Sequence, residues 1–156
     1  MSYNPTSPLP GAAVTGFTSP TFTLSNDVAP SSNGIQKAVT ALGGTQPSEV
    51  DTHTVSRPFT LTVFKPPVVK QLPAPNPGNG RIANVPVNRH SAVIRKGVTP
   101  LVGQPPAIAS IRVQFDIPAG SDTADPENLR ALYSAAIGLL YDQCSELAEA
   151  SITNVY

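Results

Sequence analysis

Apolar and polar residues alternate one for one through three stretches in the middle of this chain. Residues 53–65 place Val55, Phe59, Leu61 and Val63 on one side and Ser56, Thr60, Thr62 and Phe64 on the other. Residues 88–96 set His90, Ala92 and Ile94 against Arg89, Ser91, Val93 and Arg95. Residues 108–117 set Ala109, Ile111, Val113, Phe115 and Ile117 against Ser110, Arg112, Gln114 and Asp116. A period of two is that of a strand, and a single apolar side predicts a sheet packed on one face, hence antiparallel. Residues 16–25 and 34–42 form weaker strand-like stretches, and Pro20 between Phe17 and Phe22 predicts an edge strand or an extended arm for the first. The connections are residues 66–86, with a Pro-Gly-Asn-Gly turn at 77–80, and residues 97–106, both stiffened by proline.

Beyond Ile117 the period changes. Asp125 is a predicted N-cap, with Pro126 at the first helical position and Glu127 in the first turn. Leu129, Leu132, Tyr133, Ala136, Ile137 and Leu140, continued by Cys144 and Leu147, then recur at steps of three and four, one apolar stripe along a helix. A bend at Gly138 or within residues 142–145 divides it into two segments. Strands followed by terminal helices predict an α+β protein, an antiparallel sheet of five or more strands with an N-terminal hairpin or arm and C-terminal helices. The 156 residues are expected to form one domain, with residues 1–50 as arm and hairpin, 51–118 as sheet and 122–150 as helices. One or two helices cannot cover so wide a sheet. Two chains that share a sheet and exchange helices remove the deficit, so an intertwined homodimer is expected.

Charge sharpens this picture. Only 13% of residues are charged and the formal net charge is zero, which favours association. The zero is a partition: residues 1–51 sum to −2, residues 52–115 carry eight cations and no acid, and residues 116–156 sum to −6. A basic sheet and acidic helices follow, the basic surface suited to phosphate.

Catalytic and metal chemistry finds no support. His53 and His90 lack ligand-spaced partners, Cys144 lies in the helix stripe, and Gly78-Asn79-Gly80 is turn chemistry without the Lys-Ser/Thr of a phosphate loop. Asp142, Glu146 and Glu149 read as a solvated helix face. No cofactor, metal or enzymatic activity is expected. The single cysteine excludes an intrachain disulfide, no run reaches 18 apolar residues, and the N-terminus lacks a signal-peptide pattern, so a soluble protein made in a cytoplasm, with no membrane partner, is expected.

The run FTLTVFKPPVVKQLPAPNPGNGRIANVPVNRHSAVIRKGVTPLVG (residues 59–103), the strand IRVQFDIPAG (111–120) and the amphipathic tail ending NVY resemble the coat proteins of single-stranded RNA bacteriophages, the leviviruses. The likeness is good over residues 55–156 and weak before them, and rests on the order of parts. It implies dimers that build an icosahedral shell around single-stranded RNA, assembled in the bacterial cytoplasm, with a minor maturation protein as a further virion partner. It also implies helices packed over the partner's sheet and an RNA hairpin on the open face, repressing translation. The residues carried over are Ser110, Arg112 and Gln114, with Thr60 and Thr62; sheet parity adds Arg89, Ser91 and Arg95. Phe64 is the only aromatic on that side. Gly97, Pro100, Gly103, Pro105 and Pro106 would form the loop at the symmetry axes. The alternative is a dimeric RNA-binding regulator that forms no shell.

Overall fold

A computed structural model describes residues 3–155, so the first two residues of the predicted arm and the final Tyr156 lie outside the described residues. Six strands follow in chain order: β1 (Leu9–Pro10), β2 (Ser19–Asp27), β3 (Gly34–Thr45), β4 (Phe59–Phe64), β5 (Val87–Val98) and β6 (Ala107–Pro118). Each pairs antiparallel with the next, so spatial order equals sequence order. The sheet is the predicted one-faced kind, with the N-terminal hairpin forming its first strands. Pro20 lies within β2 and pairs with Gly44, while its carbonyl accepts from the N–H of Gly11. The irregularity between Thr23 and Leu24 shifts the register by one residue.

The first two strands lie at Ser19–Asp27 and Gly34–Thr45 instead of residues 16–25 and 34–42, and two further boundaries move for local reasons. The strand expected from residue 53 begins at Phe59, because residues 54–57 close a turn on themselves. Thr54 Oγ1 accepts from the N–H of Arg57, whose carbonyl accepts from the N–H of Thr54. Such side-chain bonds compete with a ladder, and Pro58 has no N–H to offer one. Val55, counted in the apolar side, is therefore fully exposed. The second shift is at residue 97. β5 continues through Val98, so Gly97 belongs to the strand and not to the loop. Its N–H donates to the carbonyl of Pro58, and a Cβ there would come within 2.7 Å of the Arg57 Cα, a closeness only glycine permits.

The helices are a short α1 (Ser121–Ala124), α2 (Pro126–Asp142) and α3 (Cys144–Thr153). Asp125 caps α2 as predicted, accepting from the N–H of Asn128, with Pro126 at the first turn. Gly138 stays helical, and the break falls at Gln143. Asn154, at φ 56°, ends α3 in the left-handed conformation that asparagine tolerates.

Cross-strand partners share a face, so the register assigns every strand residue. Phe59, Leu61, Val63, Ala92, Ile94, Ile111, Val113 and Phe115 lie on one face; Thr60, Thr62, Phe64, Ser91, Val93, Arg95, Arg112 and Gln114 lie on the other. The chain buries little for itself. Among the described residues the core is Ala38, Val39, Val93 and Ala119, with Thr60 and Thr62, and no helix residue is buried. Close packing between elements runs only from strand to neighbouring strand and helix to neighbouring helix. Tyr133 of α2 meets Phe115 of β6, ring centroids 4.8 Å apart, while Leu132, Ile137, Leu139 and Leu140 face solvent. The accessible surface is 10859 Å². A compact monomer of this mass would expose about 7,450 Å². The excess is surface that this chain does not cover by its own folding.

Candidate nucleic-acid interface

β4, β5 and β6 build a shallow groove of about 310 Å³ on the face away from the helices, lined by Phe64, Ser91, Val93, Arg95, Arg112 and Gln114. The register explains the grouping. Phe64, Ser91 and Gln114 form one row across the three strands, Thr62, Val93 and Arg112 the next, and Thr60, Arg95 and Ser110 the third. Arg95 and Arg112 occupy diagonal positions on adjacent strands, roughly 7–8 Å apart at this geometry. Among the described residues neither takes part in an ion pair. Two unneutralised guanidinium forks beside an aromatic ring and two hydrogen-bonding side chains make a surface that can grip phosphate and give a base a face to stack on.

The eight residues singled out from the sequence divide into three groups. Ser91, Arg95, Arg112 and Gln114 line the groove, and Ser110 lies exposed in the row beside it. Arg89 is committed elsewhere. Its Nε stands 2.8 Å from Asp116 Oδ1, directly opposite in register, and the Gln114 amide donates to Asp116 Oδ2 at 2.7 Å. Arg89's hydrogen bond, then Gln114's, hold the Asp116 carboxyl below the usual carboxylate range, and the same bond raises Arg89. Thr60 and Thr62 have almost no exposed surface, 3% and 1%. Flanking strands close over them, and the Thr62 hydroxyl donates at 2.8 Å to Gln36 Oε1, whose amide donates at 2.6 Å to Asp27. Buried beneath the groove, these two threonines offer a ligand nearly nothing.

Other cations of the acid-free stretch are also spent. Arg57 pairs with Asp51 and donates to Thr99 Oγ1 at 3.0 Å. Lys96 bonds the Asp51 carbonyl and lies 4.5 Å above the Phe59 ring; burial pushes its ammonium below the usual value. Both neutralising carboxylates lie just outside the acid-free stretch, and only the register shows whom they meet. His53 is structural, its Nδ1 accepting from the N–H of Phe59 at 3.0 Å. Of the predicted axis loop, Pro100 and Gly103 stand at its exposed tip with Leu101 and Val102, and Pro105 and Pro106 lead into β6. The helix stripe of Leu129, Leu132, Tyr133, Ala136, Ile137 and Leu140 lies along α2, and only Tyr133 stacks on the sheet.

A single-layer sheet whose covering layer its own chain does not supply defines a structural subunit of a multi-copy assembly. The whole fold is matched by a virus-like particle of bacteriophage ESE020, with a TM-score of 0.95 and 46% sequence identity over 99% of this chain and 100% of that one. The chain belongs to the coat proteins of the single-stranded RNA bacteriophages, a structural and non-enzymatic family, and is a component of the virion. A virus-like particle of Beihai levi-like virus 32 is also similar, at TM-score 0.49 and 16% identity over 86% of this chain and 88% of that one. No family model and no curated protein sequence matches the chain.

Proposed function

We propose that two copies join β6 to β6 into one continuous sheet, lay their helices over each other's apolar face, and assemble as such dimers into an icosahedral shell. The Arg95–Arg112 groove then faces inward and packages single-stranded RNA. The observation that carries this reading is the pairing of a largely uncovered apolar face with helices that touch their own sheet through the Tyr133–Phe115 stack and leave Leu132, Ile137, Leu139 and Leu140 exposed. β6 adds a second reason. It is 12 residues long, pairs only with β5 among the described residues, and leaves a row of backbone donors and acceptors open along its other edge. Phe64, as the groove's one aromatic, supports stacking of an unpaired base, which is the chemistry a specific RNA hairpin would use. The reading extends to a single coat domain, assembly in the bacterial cytoplasm and a minor maturation protein as second virion partner, all supported by family membership.

The test is electron microscopy and chromatography of the expressed chain. Particles carrying host RNA, with nucleic-acid absorbance, are the expected result. A species of only two chains with no particles would leave the dimeric RNA-binding regulator standing and remove the shell. For the groove, Arg95→Ala with Arg112→Ala is expected to flatten the log-salt slope of RNA binding by about 1.4, at roughly 0.7 per phosphate contact on single strands. An unchanged slope removes both residues from the interface.

A further inference from the structure

On the helix-facing side of the sheet, Lys65 and His90 share a pocket of about 520 Å³ with Tyr3, Asn33, Ile35 and Val63. The other cations of that side have partners. The Lys37 ammonium donates to Asn4 and Asn26 at 3.2 and 2.6 Å, and Lys96 bonds the Asp51 carbonyl. Among the described residues the Lys65 ammonium makes no hydrogen bond or ion pair. A complementary group lies on the helices. Where α2 meets α3, Leu139, Leu140, Leu147 and Ala150 line an apolar groove of about 500 Å³, and Glu146 stands among them. Glu146 too lacks an ion-pair partner among the described residues.

Docking that apolar surface against a sheet carries the Glu146 carboxylate out of water with it, and a carboxylate so placed is costly unless a cation meets it. We propose that Glu146 of a second copy enters this pocket and pairs with Lys65 beside His90, fixing where the exchanged helices come to rest. The inference builds on the exchanged-helix dimer proposed above. Reach is sufficient. α2 has 17 residues, a length of about 26 Å, whereas crossing from the second copy's β6 over β6, β5 and β4 to β3 takes four strand spacings, about 19 Å. Charge agrees as well: the helical residues 121–153 sum to −5, and the face they would meet offers a free lysine.

The experiment is a charge-reversal cycle in the full chain, reading the fraction of protein in dimers and particles at fixed concentration. Lys65→Glu and Glu146→Lys are each expected to lower that fraction by about tenfold, and the double reversal to recover it to within about threefold of the original. Glu146→Lys combined with Lys70→Glu, a reversal on the 66–86 connection, is expected to recover nothing. Both residues are exposed in the single chain, so circular dichroism of each variant is expected to be unchanged. Assembly unaffected by either single reversal overturns the pairing, as does a double variant no better than the worse single one. A Lys65→Glu variant that assembles normally but loses its RNA also overturns it, reassigning the pocket to nucleic acid. Failure of the unaltered chain to dimerise at all would instead overturn the exchanged-helix reading.

Discussion

The two faces of the sheet are made from the same strands, residue by alternate residue, and they differ in how far the chain completes them. On the groove face, polar side chains find each other across strands: Thr62 bonds Gln36 and Gln36 bonds Asp27, while Asp116 takes bonds from both Arg89 and Gln114. Only Arg95 and Arg112 remain without a counter-ion in the groove. On the opposite face, Phe22, Val39, Phe59, Leu61 and Ile94, with Leu9, wall an apolar hollow of about 250 Å³, and Tyr133 is the helix residue that stacks on a ring of that face. A polar face can be satisfied by neighbours one strand away or by water. An apolar face needs a second layer, and in the proposed dimer that layer belongs to another copy.

That contrast can be broken in order of expected effect. Ile111→Asp places a charge on the apolar face at a residue 65% exposed in the single chain. It should leave the monomer folded yet weaken dimerisation by about 3 kcal/mol or more, the cost of an unpaired charge in a dry interface, read as loss of particles in chromatography. Gly97→Ala tests the strap of residues 51–58 against the end of β5. Its new methyl meets the Arg57 backbone, and overpacking of this kind should cost about 2 kcal/mol in urea unfolding. The paired Arg95→Ala and Arg112→Ala changes act on the groove face and should reduce RNA content while dimers persist. Arg89→Ala, in the same assay, should change the salt slope by less than either, since its charge is already matched by Asp116. Thr62→Val removes the donor to Gln36 and should lower stability by about 1 kcal/mol without affecting RNA.

The smallest effect concerns acid. The folded-state carboxyl of Asp116 is lowered by Arg89 and Gln114, so its contribution to stability is present above its ordinary titration range and is lost as pH falls through the lower folded value. Arg89→Ala should remove the larger part of that component and leave the part due to Gln114, a small loss in thermal unfolding at neutral pH that vanishes as pH falls through the carboxylate range. The pair's exposure to solvent keeps it modest.

Much of this is legible in the amino-acid sequence alone. Period-two alternation gave β5 and β6 nearly to the residue, and Asp125-Pro126-Glu127 marked the start of α2, because both signals are local and repeat over many residues. Residues 53–58 escaped the same reading, since Val55 and Ser56 alternate by chance while Thr54 and Pro58 redirect the backbone. Among the groove residues, parity put Arg95, Arg112 and Gln114 on one face, and the resemblance to phage coat proteins marked Arg112 and Gln114 as facing RNA. Phe64 and Ser91 fell on their side by the same rule, but their meeting in one row depended on pairing between strands separated by the long 66–86 connection.

The amino-acid order by itself therefore determined the element types, the face each strand residue takes, and the separation of a basic sheet from acidic helices. These depend on the geometry of one strand or one helix at a time. Only the tertiary structure decided which cations stay free: Asp116 sits opposite Arg89, Asp51 beside Arg57, and nothing opposite Arg95 or Arg112 carries a negative charge. Charge neutralisation acts over a few ångströms, and only folding brings residues from different strands that close.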